Sequence, residues 1–143
     1  MAYRVLLTDP LGPEGLARLR EQPELEIVDR PGLAPAELRQ AIRGFHALIV
    51  RSGTKVTADA LAEADTLRVI GRAGIGVDNI DVDAATKKGI VVMNTPGGSN
   101  VTTAEHAITL LLALARNLPQ AAAATRAGRW ERNRRLGTEV CNK

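Results

Sequence analysis

The sequence predicts an α/β fold: a doubly wound parallel sheet of five strands, flavodoxin-like in order 2-1-3-4-5, followed by long linking helices. Three observations predict it. Short β-branched and leucine-rich runs alternate with stretches of helical periodicity through residue 93. One run, Ala47-Leu-Ile-Val50, has no polar residue, as expected of a strand covered on both faces in a parallel sheet. Beyond residue 101 the turn signals thin out and an apolar helical pattern takes over.

In order, Tyr3 to Thr8 reads as the first strand and leads into Asp9-Pro10. Glu14 to Gln22 is a helix, with Leu16 and Leu19 three apart on one face. Leu25 to Val28 is the second strand. Pro35 opens the next helix, where its missing N–H costs nothing, and Leu38 and Ile42 mark the buried stripe. Ala47 to Val50 is the third strand, and Thr57 caps a helix running to about Ala64. Leu67 to Ile70 is the fourth strand. Asp81 to Lys88 is a helix stopped by Gly89, and Ile90 to Met93 is the fifth strand. Thr102-Thr-Ala-Glu105 reads as a capping box, so the next helix is expected from Thr102 to Leu118, broken or kinked by Pro119. An alanine-rich helix follows to about Ala127.

Ligands of such sheets lie beyond the carboxyl ends of the strands. That rule selects Asp9-Pro10, Arg51 to Thr54, Arg72 to Gly76, and Asn94 to Asn100. Arg51 follows an apolar strand directly, and Arg72 sits among Gly71, Gly74 and Gly76. A guanidinium fork grips carboxylate or phosphate in bidentate fashion. Glycines allow positive φ and close backbone approach. Together they point to a small-anion site. Gly74-x-Gly76-x-x-Asn79 lacks the third glycine of a dinucleotide fingerprint, and Asn94 and Thr95 stand where its ribose-binding acid belongs. A nucleotide fingerprint is therefore rejected here.

Composition narrows the classes. The chain has 143 residues, 45% hydrophobic but only 2% aromatic, which argues against base stacking and nucleic-acid binding. The net charge is +3, yet residues 126–143 hold six basic and two acidic residues, or +4, leaving −1 for the rest. Cys141 stands alone, which suits a cytoplasmic setting and excludes an internal disulfide. No apolar run approaches the roughly 20 residues that span a bilayer, so no membrane role is expected. A phosphorelay receiver would need an acidic residue where Arg51 stands. A flavin would need aromatic loop residues. His46 and His106 have no evident carboxylate partner, and no metal site is expected.

The helix at 102–118 is apolar all round, with Ile108, Leu111 and Leu112 on one face and Leu110 and Leu114 on the other. Such a helix must be covered by another domain, another subunit or both, and in the isolated chain a homodimer through it is expected.

A series of blocks carries a resemblance: Val50 to Thr57, Gly71 to Asp81, Val92 to Gly97, Ala104-Glu-His106, Trp130-Glu-Arg132 and Gly137-Thr-Glu139. Their order and content resemble the D-isomer-specific 2-hydroxyacid dehydrogenases over essentially the whole chain, and most of all the members acting on 3-phosphoglycerate. The resemblance implies an NAD-dependent oxidoreductase that converts 3-phosphoglycerate to 3-phosphohydroxypyruvate in L-serine biosynthesis. It implies a substrate-binding domain at residues 1–100, and at 101–143 linking helices and a tail leading to a nucleotide-binding domain. Arg51, Ser52, Gly53, Arg72, Ala73, Gly74, Gly76 and Asn100 match substrate positions, with Arg132 in a basic segment that approaches the substrate site of a neighbouring subunit. Ile75 and Thr103 match positions near the nicotinamide. The family's catalytic histidine and its carboxylate partner belong to later sequence, so no catalytic residue is expected here and the 143-residue chain is expected to be inactive alone. The alternative is a stand-alone or engineered flavodoxin-like module that binds or assembles without chemistry.

Overall fold

The computed structural model describes residues 2–142. The chain forms two compact units that divide between Gly98 and Ser99. The first holds a parallel sheet in the order β2-β1-β3-β4-β5, with β1 at Tyr3–Leu7, β2 at Leu25–Asp29, β3 at Ala47–Val50, β4 at Val69–Arg72 and β5 at Val91–Met93. Helices α1 (Pro13–Arg20), α2 (Pro35–Ala41), α3 (Ala58–Ala62) and α4 (Val82–Lys87) alternate with the strands. The order and the parallel pairing are those the sequence predicts.

The helix starts follow from local chemistry. Pro13 and Pro35 each occupy a first turn, where a lost N–H leaves no bond unmade. The Glu37 carboxylate accepts the Ala34 N–H at 2.8 Å. Thr57 Oγ1 accepts the Ala60 N–H at 3.2 Å, and Asp81 Oδ1 accepts that of Ala84 at 2.9 Å. At the other end of α3, Lys88 Nζ donates to the carbonyls of Leu61, Ala62 and Ala64 at 2.5, 3.0 and 3.1 Å. One ammonium thus satisfies three carbonyls that a helix terminus leaves orphaned. Leu6, Leu38, Ile42, Leu48, Leu61 and Ile70 are all fully buried and form the centre of the core. Aliphatic side chains make up this core apart from Phe45.

The fourth strand departs from expectation. It covers Val69–Arg72 and not Leu67 to Ile70, because its ladder with β3 runs on through Ile49↔Gly71 and Val50↔Arg72. The glycine and the arginine look like a turn in isolation, but the neighbouring strand offers them backbone partners, and β pairing overrides local preference.

The second unit contains α5 (Asn100–Ala115), α6 (Leu118–Arg126) and a 3-10 turn, α7, at Arg132–Arg134. Two expectations fail here. Helix α5 begins at Asn100, with the Ser99 carbonyl accepting the Thr103 N–H at 2.9 Å, so Thr102 lies inside the helix and caps nothing. A backbone carbonyl placed by the preceding glycines starts the helix before the hydroxyl can. Nor does Pro119 end it: α5 stops at Ala115, Asn117 turns left-handed at φ 50°, and Pro119 sits in the first turn of α6. Asparagine tolerates that region because its short polar side chain bonds locally, and Asn117 Nδ2 donates to the Leu136 carbonyl at 2.8 Å. The two helices bend by 67°; among the described residues no single helix is long and apolar enough to cross a membrane, though the bent pair passes that test by length and composition. Gly137 is dictated by backbone contact. The Thr138 N–H donates to the Ala115 carbonyl at 2.7 Å, and a Cβ on Gly137 would lie 2.5 Å from that oxygen.

Candidate functional site

The site is built at the carboxyl ends of β1, β3 and β4. Asp9, just past β1, is 7% exposed. Its Oδ2 accepts the backbone N–H of Arg51 at 2.6 Å and that of Thr54 at 3.0 Å. Thr54 Oγ1 lies 2.9 Å from Thr8 Oγ1 and 3.3 Å from the Thr8 carbonyl, all buried. A buried carboxylate needs such partners, and these bend residues 51–54 into a tight loop around it. Gly53 is required by proximity: a Cβ there would stand 2.6 Å from Asp9 Oδ1. The Arg51 guanidinium is exposed, with one nitrogen donating to the Pro10 carbonyl at 3.2 Å.

The second loop follows β4. The Arg72 side chain is only 10% exposed, and its guanidinium lies 3.7 Å from Asp78 Oδ1. Its Nε donates to Asn79 Oδ1 at 2.7 Å. The loop glycines serve this arginine and not unusual dihedrals, since Gly71, Gly74 and Gly76 all lack positive φ. A Cβ on Gly74 would overlap the Arg72 guanidinium, and one on Gly76 would lie 2.8 Å from Asp78 Oδ1. Asn94 Nδ2 donates to the Ile75 carbonyl at 2.6 Å and the Thr95 N–H to the Gly74 carbonyl at 2.9 Å, which ties the loop to the chain after β5.

The predicted residues thus sort by what they can offer. Arg51, Ser52, Gly53, Arg72, Ala73, Gly74, Ile75 and Gly76 share one end of the sheet, on neighbouring strands. Among the described residues nothing accepts from the N–H groups of Ser52, Gly53, Ile75 and Gly76. Those of Ala73 and Gly74 are taken by the carbonyls of Val50 and Arg72, each at 2.9 Å. Two cations and four free N–H groups can hold a carboxylate or a phosphate. A depression of about 520 Å³ beside them is lined by Ser52, Lys55, Thr57, Asp78, Asn79 and Asp81. The same loop does not fit a dinucleotide pyrophosphate. The space above its glycines is filled by the chain's own guanidinium and carboxylate, and the N-terminus of α4 is already capped by the Asp81 carboxylate.

Asn100 and Thr103 lie one turn apart on α5, and Arg132 lies on α7, all in the second unit. Arg132 lines a cleft of about 200 Å³ with Trp130, Glu131, Arg129 and Arg135. Partial burial pushes the Glu131 carboxyl up, but Arg135 at 2.6 Å and Arg129 at 3.2 Å outweigh it and hold it below the usual carboxylate range. Arg132 makes no ion pair among the described residues.

Sequence reasoning set Asp9 and Thr54 in the ligand-facing loops without giving them a role, and it missed Asn79 as a site-building residue. Asp9 had a signal, a carboxylate next to the first strand's end. Asn79 was legible only as a missing glycine. His46 is structural: its Nδ1 accepts the Arg4 N–H at 3.1 Å and its ring meets Tyr3 edge-on at 5.5 Å.

The chain belongs to the D-isomer specific 2-hydroxyacid dehydrogenase family, whose catalytic-domain model matches residues 5–141. Among its relatives is the D-3-phosphoglycerate dehydrogenase of Methanocaldococcus jannaschii, 49% identical over 98% of this chain. The chain spans about a quarter of the length of the curated relatives it matches, 26% in that case. The crystal structure of the TT0316 protein from Thermus thermophilus superposes with a TM-score of 0.84 at 37% identity, covering 96% of this chain and 45% of that one. NAD+-bound 3-phosphoglycerate dehydrogenase of Entamoeba histolytica gives a TM-score of 0.72 at 28% identity, covering 81% and 40%.

Proposed function

We propose that this chain is the substrate-binding portion of an NAD-dependent dehydrogenase acting on 3-phosphoglycerate. The observation that carries the reading is the pair of arginines at the ends of adjacent strands, each beside free backbone N–H groups. Arg51, Ser52 and Gly53 form one arm of the grip. Arg72 and Gly76 form the other, supported by the bonded turn at Ala73 and Gly74. The resemblance matches Asn100 to a substrate position and sets Arg132 in a basic segment that approaches the substrate site of a neighbouring subunit; NAD, bound by the whole protein, would accept the hydride from the substrate's hydroxyl-bearing carbon. Ile75 and Thr103 border the nicotinamide. This chain's own residues bind and orient; its glycine loop holds no pyrophosphate, so the chain alone carries no dehydrogenase activity. The single Cys141 suits a reducing, cytoplasmic compartment.

Self-association accompanies this role. No residue of α5 is buried, and Leu110 and Leu114 are 57% and 81% exposed. A second copy of the helix, packed with twofold symmetry, covers that surface.

Titration of the chain with 3-phosphoglycerate tests the site. A saturable response that weakens with salt and disappears in Arg51→Ala is expected. An unchanged response in that variant refutes the assignment.

A further inference from the structure

Asn79 stands between the two loops and bonds to both. Its Nδ2 donates to the Arg51 carbonyl at 2.7 Å and to the Thr54 carbonyl at 2.6 Å, while its Oδ1 accepts from Arg72 Nε at 2.7 Å. Only one amide orientation satisfies all three, because carbonyls only accept and the guanidinium only donates. Both amide protons are used. Aspartate has no donor for the two carbonyls, and alanine has neither function. The backbone closes the same bracket: the Val56 N–H donates to the Asn79 carbonyl at 2.8 Å, and the Asp81 N–H to the Val56 carbonyl at 2.8 Å. The 51–54 loop is thereby joined to the 72–81 loop through one side chain and one isolated bridge, Val56↔Ile80.

We propose that Asn79 is a positioning residue that makes the two loops one anion site, holding the Arg72 guanidinium against the backbone that aims Arg51. This rests on the anion-site reading above and adds that the two arms bind in concert. The physical reason is pre-organisation. Arg72 has four rotatable side-chain bonds, and a bound carboxylate or phosphate must otherwise pay for freezing them. With Nε fixed by Asn79, Nη1 remains for the ligand, and Nη2 does so in competition with the exposed Asp78 carboxylate at 3.7 Å.

The test is a titration of the ¹⁵N-labelled chain with 3-phosphoglycerate. It follows the amides of Ser52 and Gly53 on one loop, those of Ile75 and Gly76 on the other, and Arg72 Nε–H. In the native sequence both loops should report a single Kd. In Asn79→Ala the Kd should rise about tenfold and the loops should report different values. Adding Arg51→Ala to Asn79→Ala should cost much less than Arg51→Ala alone, the non-additivity that coupled residues show. A Kd in Asn79→Ala within twofold of native, with both loops still in step, overturns the proposal. If Arg51→Ala and Arg72→Ala also leave Kd unchanged, the anion site itself is wrong; if they weaken binding and Asn79→Ala does not, only the coupling is wrong. Should Asn79→Ala lose its sheet resonances, the native chain still decides. Arg72 Nε–H should exchange with water at least tenfold more slowly than that of exposed Arg18, and equal rates overturn the bridge.

Discussion

The Asp9 carboxylate accepts the Arg51 backbone N–H at 2.6 Å, across 42 positions of sequence. One buried oxygen therefore sets where the first arginine of the site leaves the sheet. Its second partner, the Thr54 N–H, is buried with it. Asp9→Ala should cost about 1–3 kcal/mol, the usual penalty for a buried donor left without an acceptor. Asp9→Asn, which keeps an accepting oxygen, should cost less. Urea unfolding of the three proteins checks the order.

Gly53→Ala should destabilise the chain through the same carboxylate, because its Cβ would stand 2.6 Å from Asp9 Oδ1. A loss of about 1–3 kcal/mol is expected for such overpacking. The effect should shrink in an Asp9→Ala background, where nothing is left to strike. Equal losses in both backgrounds would mean that the loop, not the carboxylate, demands glycine.

The α2–α3 surface should respond to acid through Glu63. Hydrogen bonds from Arg43 and Arg39 hold its carboxyl below the ordinary 4.5. A carboxylate depressed in the folded state contributes stability above its unfolded pKa, and that stability fades as pH falls through the folded value. Glu63→Gln should therefore lower Tm near neutrality, and the gap should close below about pH 4. Because the pair is exposed, the gap should also narrow in high salt. Melting curves from pH 7 to pH 3 test this, and a gap independent of pH would contradict it.

The exposed face of α5 should drive association. Burying a leucine is worth roughly 1.5–3 kcal/mol, and α5 leaves Ile108, Leu110, Leu111 and Leu114 all more than half exposed. Light scattering should find a dimer at tens of micromolar. Leu110→Glu combined with Leu114→Glu should return a monomer whose sheet is intact by circular dichroism. A monomer in the unaltered chain would refute the idea.

Gly137→Ala should loosen the second unit at the α5–α6 break. The new methyl meets the Ala115 carbonyl at 2.5 Å, and backbone cannot rotate aside as a side chain can. Hydrogen exchange at the Thr138 amide should accelerate by an order of magnitude or more as its 2.7 Å bond to Ala115 opens.

Much of this was legible in the sequence because it depends on neighbours along the chain. Alternating apolar runs set the strands, Thr57 caps the helix it precedes, and Arg51 and Arg72 stand at the strand ends. The blocks around them carry the family. Tertiary structure decided what depends on partners far away in sequence. Gly71 and Arg72 became strand because β3 offered them a ladder. Gly53, Gly74 and Gly76 proved to be spacing residues for Asp9, Arg72 and Asp78, which no local rule distinguishes from turn glycines. Asn79 reads in sequence as the residue that spoils a nucleotide motif; in space its amide has two donors and one acceptor, and the fold places the two carbonyls and the guanidinium that use them. Periodicity encodes which face is buried, but hydrogen-bond partners are chosen by distance, and only the folded chain sets distances.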